Sequence, residues 1–149
     1  MSAAPASAAA SVVDDRTLAV MRERAMATME RAYAPYSGFR VGAALLASDG
    51  SITEGCNVES ASFPAGICAE RGALAAAVAR GHGSFVAVVI ASEAETPTPP
   101  CGVCRQALVE FAPALIVVSV TRDGREARWT LEELLPKAFT PHSLDRSRH

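Results

Sequence analysis

Apolar positions along the chain change their spacing several times, and each change marks an element. Leu18, Met21, Ala25, Met29 and Tyr33 recur at helical spacing, with Asp14 and Asp15 where the positive end of a helix dipole favours acids. Pro35 is expected to end this helix, since it has no N–H to donate. Beyond Tyr36-Ser37-Gly38, residues 39–46 and 52–58 flank Ser48-Asp49-Gly50-Ser51, which supplies turn chemistry, so a β-hairpin is predicted. Residues 68–80 are rich in Ala and Leu and stop before Gly81, a second helix with a glycine just past its end. Residues 85–90 are apolar without interruption, the pattern of a strand covered on both faces, and so belong mid-sheet. The proline-rich stretch 95–100 excludes regular structure and delivers the chain to a helix over 101–111. A buried strand over 115–120, a turn at Arg122-Asp123-Gly124 and a short edge strand over 126–129 follow. Thr130 and Glu133 then form a capping box before Leu134-Leu135.

Helices and strands alternate without internal repeats, which predicts an α/β fold: a three-layer α/β/α sandwich around a mixed five-stranded sheet. With 149 residues, half of them hydrophobic, the chain suits one domain, taken as residues 14–144. Residues 1–13, mostly Ala, Ser and Pro, are expected to be a disordered tail, and 145–149 a flexible one. A formal charge of -2 and a pI near 5.9 provide no basic field for phosphates, so a small-molecule partner is expected and nucleic acid is not. The opening stretch lacks the basic and apolar regions of a secretory signal. No apolar run approaches the roughly 20 residues of a membrane helix. A cytoplasmic location, with no membrane partner, is therefore expected.

A reducing compartment changes the meaning of the four cysteines, because clustered thiols there serve metals or catalysis more often than disulfides. Cys68-Ala69-Glu70 and Pro100-Cys101-Gly102-Val103-Cys104 together offer three thiolates and a carboxylate. Three thiolates leave a tetrahedral zinc with one open position, suited to water, whereas structural sites normally close with four protein ligands. Both cysteine clusters fall at predicted helix starts, where free N–H groups and the dipole favour thiolates. Cys56 stands apart and reads as a small buried residue at a strand end, the alternative being a fourth ligand. Three thiolates on a divalent zinc carry a net negative charge, and Arg71 is the cation placed to bond a thiolate sulfur. The competing reading of Arg71 is an exposed helix arginine. Glu70 alone could be a dipole partner of its helix; between these cysteines it is the natural general acid/base.

The pattern C-x-E with P-C-x-x-C, in its three-cysteine form, resembles the zinc deaminases. Tyr33-Ala34-Pro35-Tyr36-Ser37-Gly38-Phe39-Arg40-Val41-Gly42-Ala43-Ala44, Gly55-Cys56-Asn57-Val58-Glu59, Pro100-Cys101-Gly102-Val103-Cys104-Arg105-Gln106 and Leu134-Leu135-Pro136-Lys137-Ala138-Phe139 are similar to the small cytidine deaminases. That resemblance runs from about Asp15 to Leu144. It implies one zinc ion per chain on Cys68, Cys101 and Cys104, with Glu70 moving protons between water at the metal, ring N3 and the leaving amine. It further implies that Asn57 and Glu59 hydrogen-bond the ribose 3'-hydroxyl and that Phe39 and Ala69 contact the nucleoside. Arg105 and Gln106 are expected to pack or hydrogen-bond behind the metal. The implied reaction is hydrolytic deamination of free cytidine and 2'-deoxycytidine to uridine and 2'-deoxyuridine plus ammonia, as in pyrimidine salvage. A carboxylate at the 3' oxygen repels the next phosphate of a polynucleotide, so editing of nucleic acid is not expected. Also implied is a homotetramer with shared active sites, in which Phe139 of a neighbouring chain stacks near the base. Where the family commonly has Glu-Asn-Ala-Ser-Tyr, this chain has Glu59-Ser60-Ala61-Ser62-Phe63, so a subunit contact at Phe63 keeps the ring but lacks the hydroxyl. Alternatives are a deaminase of the blasticidin S type, a structural-zinc module closed by Cys56, His82, His142 or His149, and a redox protein using Cys101 and Cys104.

Overall fold

Asp14 opens the first helix by accepting a hydrogen bond from the Thr17 N–H at 2.7 Å. In the computed structural model, residues 13–144 are described. The order is α1 (Asp15–Met29), β1 (Val41–Ala47), β2 (Ile52–Cys56), α2 (Ala69–Ala79), β3 (Phe85–Ser92), α3 (Gly102–Val109), β4 (Ile116–Thr121), β5 (Glu126–Thr130) and α4 (Leu131–Leu134). Single 3-10 turns occur at Phe63–Ala65 and Pro141–Leu144.

The sheet has five strands in the order β2-β1-β3-β4-β5. Only β3 and β4 pair in parallel, so the sheet is mixed, and β3 lies at its centre. Alternate residues of the central strands enter two cores. Ala43, Leu45, Val88, Ile90 and Val117 pack with Ala73 and Ala77 of α2, Leu108 of α3 and Leu131 of α4. Ala44, Leu46, Val89 and Val118 pack on the other face with Leu18, Met21, Ala25 and Met29 of α1. Covered on both faces, β3 and β4 are almost continuously apolar, and the result is the three-layer sandwich.

Two glycines let the helices approach the hairpin closely. A Cβ at Gly42 would lie 2.1 Å from the Ala25 carbonyl oxygen of α1, and one at Gly55 would lie 2.4 Å from the Ala69 carbonyl oxygen and Ala73 nitrogen of α2. The second contact sets the start of α2, which carries Cys68 and Glu70, against the end of β2.

Three details differ from the sequence-based expectation. Helix α1 ends at Met29 rather than at Pro35, and Tyr33 is exposed. Its N–H instead donates to the Asn57 carbonyl at 3.0 Å, and Tyr33 pairs with Val58 as an isolated parallel bridge, so the chain has already left the helical path. Val13, assigned to the leading tail, is buried in the α1-side core; the rest of that tail and residues 145–149 lie outside the described residues. Cys56 does end a strand, but it is half-buried rather than buried.

Candidate active site

Cys68 is the N-cap of α2 and Cys101 the N-cap of α3, and neither helix start is capped by a side chain. Cys104 follows in the first turn of α3 and is buried. The three Sγ atoms lie within 4.8 Å of one another, with Cys68 and Cys101 at 3.8 Å. Zn–S bonds of about 2.3 Å at the tetrahedral angle separate sulfurs by roughly 3.8 Å, so the donor set and its spacing fit one zinc ion. No fourth His, Cys, Asp or Glu joins this group among the described residues.

Charge is balanced locally. Arg71 Nη2 donates to Cys68 Sγ at 3.8 Å, and Arg71 Nε is buried without a hydrogen-bond partner. Cys68 and Cys104 share a hydrogen bond that, with the Arg71 guanidinium and against burial, lowers the Cys68 thiol to about 5. The same bond, together with burial, pushes Cys104 up. Glu70 is 4% exposed, and burial raises its carboxyl above the usual carboxylate range.

Cys68, Glu70, Arg71 and Cys101 line a cavity of about 420 Å³. This is the size range of small-molecule sites. Phe39, Asn57, Glu59, Phe63 and Ala69 line the same cavity, so segments far apart in the chain meet there. Asn57 acts as a brace: its Oδ1 accepts from the Val41 N–H and its Nδ2 donates to the Phe39 carbonyl, each at 2.8 Å. Phe63 is 76% exposed and packs edge-on to Tyr36, with ring centroids 6.0 Å apart.

Two expected residues, Phe139, assigned to a neighbouring chain's pocket, and Gln106, assigned behind the metal, do not line this chain's own cavity. Phe139 is exposed and does not line the cavity. Gln106, placed behind the metal by the sequence reading, donates from Nε2 to the Phe139 carbonyl at 2.6 Å and so ties down the C-terminal segment. Its neighbour Arg105 does support the metal loop, donating to the carbonyls of Pro100 and Leu134 at 2.8 Å each. Sequence reasoning missed the partners of Glu59: Tyr36 N–H at 3.0 Å, Ser37 N–H at 3.1 Å and the Ser37 hydroxyl. These bonds hold the Glu59 carboxyl below its ordinary range, the Ser37 hydroxyl contributing most. The available signal was Tyr36-Ser37 inside a segment similar to the family, without a spacing that points to Glu59.

Such a fold and pocket define a zinc-dependent enzyme acting on a small molecule. Residues 15–120 match the family described as "Cytidine and deoxycytidylate deaminase zinc-binding region", and the chain belongs to that family. It is 43% identical over 124 residues to a cytidine deaminase of Halalkalibacterium halodurans, covering 83% of this chain and 94% of that protein. It is 36% identical to a cytidine deaminase of Mycobacterium tuberculosis, covering 87% and 94% of the two chains. Among solved structures, cytidine deaminase from Burkholderia pseudomallei superposes with a TM-score of 0.78 at 45% identity, over 81% of this chain and 98% of the other.

Proposed function

We propose that this enzyme hydrolyses free cytidine and 2'-deoxycytidine to uridine and 2'-deoxyuridine, releasing ammonia for pyrimidine salvage. The observation carrying this reading is a single cavity that joins the three-cysteine cluster and buried Glu70 to Asn57 and Glu59. Cys68, Cys101 and Cys104 would hold the metal. When bound, zinc supplies Lewis acidity that lowers the pKa of a water at its open position to about 7.

The remaining chemistry belongs to side chains. Glu70, with its carboxyl raised by burial, is suited both to accept and to donate a proton. It carries one proton from water to ring N3 as the water oxygen bonds to C4. It carries a second to the exocyclic nitrogen, the C4–N bond breaks and ammonia leaves. Phe39 offers an aromatic wall to the nucleoside. Asn57 keeps one amide hydrogen beyond the brace it forms. Glu59, held ionised, accepts from a 3'-hydroxyl and repels a 3'-phosphate, which favours free nucleosides over polynucleotides.

Exposed Phe63 at the cavity and Phe139 outside it support a homotetramer whose subunits complete one another's pockets. A cytoplasmic setting belongs to the same proposal, since a reducing compartment keeps clustered thiols available to a metal. The test is to incubate zinc-loaded protein with cytidine, 2'-deoxycytidine and an oligodeoxycytidylate, following absorbance and ammonia. Both nucleosides should turn over and the oligonucleotide should not. No turnover of either nucleoside, or equal turnover of the oligonucleotide, overturns the reading.

A further inference from the structure

We propose that Ser37 is a positioning residue that presets the Glu59 carboxylate for the 3'-hydroxyl of the nucleoside, an inference that rests on the nucleoside-deaminase reading above. Three donors converge on Glu59. Oε1 accepts from the Tyr36 and Ser37 N–H groups at 3.0 and 3.1 Å, and Oε2 accepts from the Ser37 hydroxyl. Each carboxylate oxygen has about two acceptor positions, so Oε1 is filled and Oε2 keeps one for a ligand.

The direction of the Ser37 hydroxyl follows from its other bond. Its Oγ accepts from the Phe39 N–H at 3.0 Å, which occupies a lone pair and leaves the hydroxyl hydrogen for Glu59. Gly38 makes this fold-back possible, with φ of 67 in the left-handed region that favours glycine. Ser37 therefore couples two elements of the cavity wall: the Phe39 backbone and the Glu59 carboxylate. Glu59 lies where this cavity adjoins a second one of about 360 Å³, which Ser37 and Tyr36 also line. Without the Ser37 hydroxyl, Oε1 keeps its two backbone donors but Oε2 loses its orienting one, so Oε2 can swing about that anchor toward the neighbouring space. Ordering would then be required at the moment of binding, which weakens the ground state and transition state alike.

The experiment compares cytidine with 3'-deoxycytidine, which lacks the hydroxyl that Glu59 would bind. In zinc-loaded Ser37→Ala, KM for cytidine should rise about tenfold with kcat within about twofold, the signature of lost uniform binding. KM for 3'-deoxycytidine should stay within about twofold of wild type, because the preset carboxylate has no hydroxyl to meet and Phe39 keeps its brace to Asn57. Ser37→Thr should restore the cytidine KM, and Ser37→Ala should add nothing in a Glu59→Gln background. Ser37→Gly provides the same comparison if Ser37→Ala does not fold. Equal losses on both substrates, or an unchanged cytidine KM, overturn the role of Ser37 while leaving the deaminase reading intact. Failure of the wild-type protein to turn over cytidine overturns both.

Discussion

The two ends of the cavity are held by different physics. At the metal end, Cys68, Glu70, Cys101 and Cys104 sit on the first turns of α2 and α3, and α2 is seated by backbone packing against Gly55. At the far end, Asn57, Glu59 and Phe39 sit on irregular chain and are held by side-chain bonds to distant backbone. An ionic cluster flanks that end. Glu93 accepts from the Arg40 N–H at 3.0 Å and pairs with the Arg40 and Arg122 guanidinium groups at 2.6 and 2.8 Å, while Glu30 pairs with the same two arginines. The helix that carries Cys68 and Glu70 is thus seated by a steric backbone contact, whereas the recognition residues are held by side-chain hydrogen bonds beside a charged cluster.

Adding one methyl group should break the metal end. In Gly55→Ala the Cβ meets backbone atoms at 2.4 Å, which cannot yield as a flexible side chain would. Stability should fall by about 3 kcal/mol. Because Ala69 lies between Cys68 and Glu70, zinc content should fall too. Urea denaturation and metal analysis check both, and a variant with wild-type midpoint and zinc would mean that the close approach does not seat the site.

A smaller effect should mark the recognition end. The Arg40 and Arg122 guanidinium groups hold Glu93 down to about 2, against an ordinary value of 4.5. The unfolded chain therefore binds the extra proton first as pH falls, and the stabilisation from Glu93 is complete above about pH 5 and lost toward about pH 2. The stability gap between wild type and Glu93→Gln should be constant from pH 7 to about 5 and close at lower pH. Denaturation midpoints measured across this range check it; a gap that persists unchanged to about pH 2.5 would remove Glu93 as the source.

The same contrast explains what the sequence made legible. Within each of the two clusters the reactive residues sit within a few positions of one another at a helix start, so Cys68-Ala69-Glu70 and Cys101-Gly102-Val103-Cys104 are legible as local patterns. Buried strands were visible because two-sided cover leaves continuous apolar runs, as in β3 and β4. The bond from Ser37 to Glu59 joins residues 22 positions apart through a hydroxyl, and no periodicity encodes it. The end of α1 was misplaced for a related reason: Tyr33 keeps helical spacing, but its backbone is taken by the Asn57–Val58 segment. Gln106 was placed near the right element, yet its direction depends on where the C-terminal segment returns, which only tertiary packing decides.

The most direct test of the central claim is Glu70→Gln, measured for zinc content and for ammonia released from cytidine. Gln keeps the size of the side chain and removes its ability to carry a proton. The variant should retain one zinc per chain and lose turnover by about 10²–10⁴-fold, the usual contribution of a positioned acid/base. Turnover at the wild-type rate with zinc retained would contradict the account.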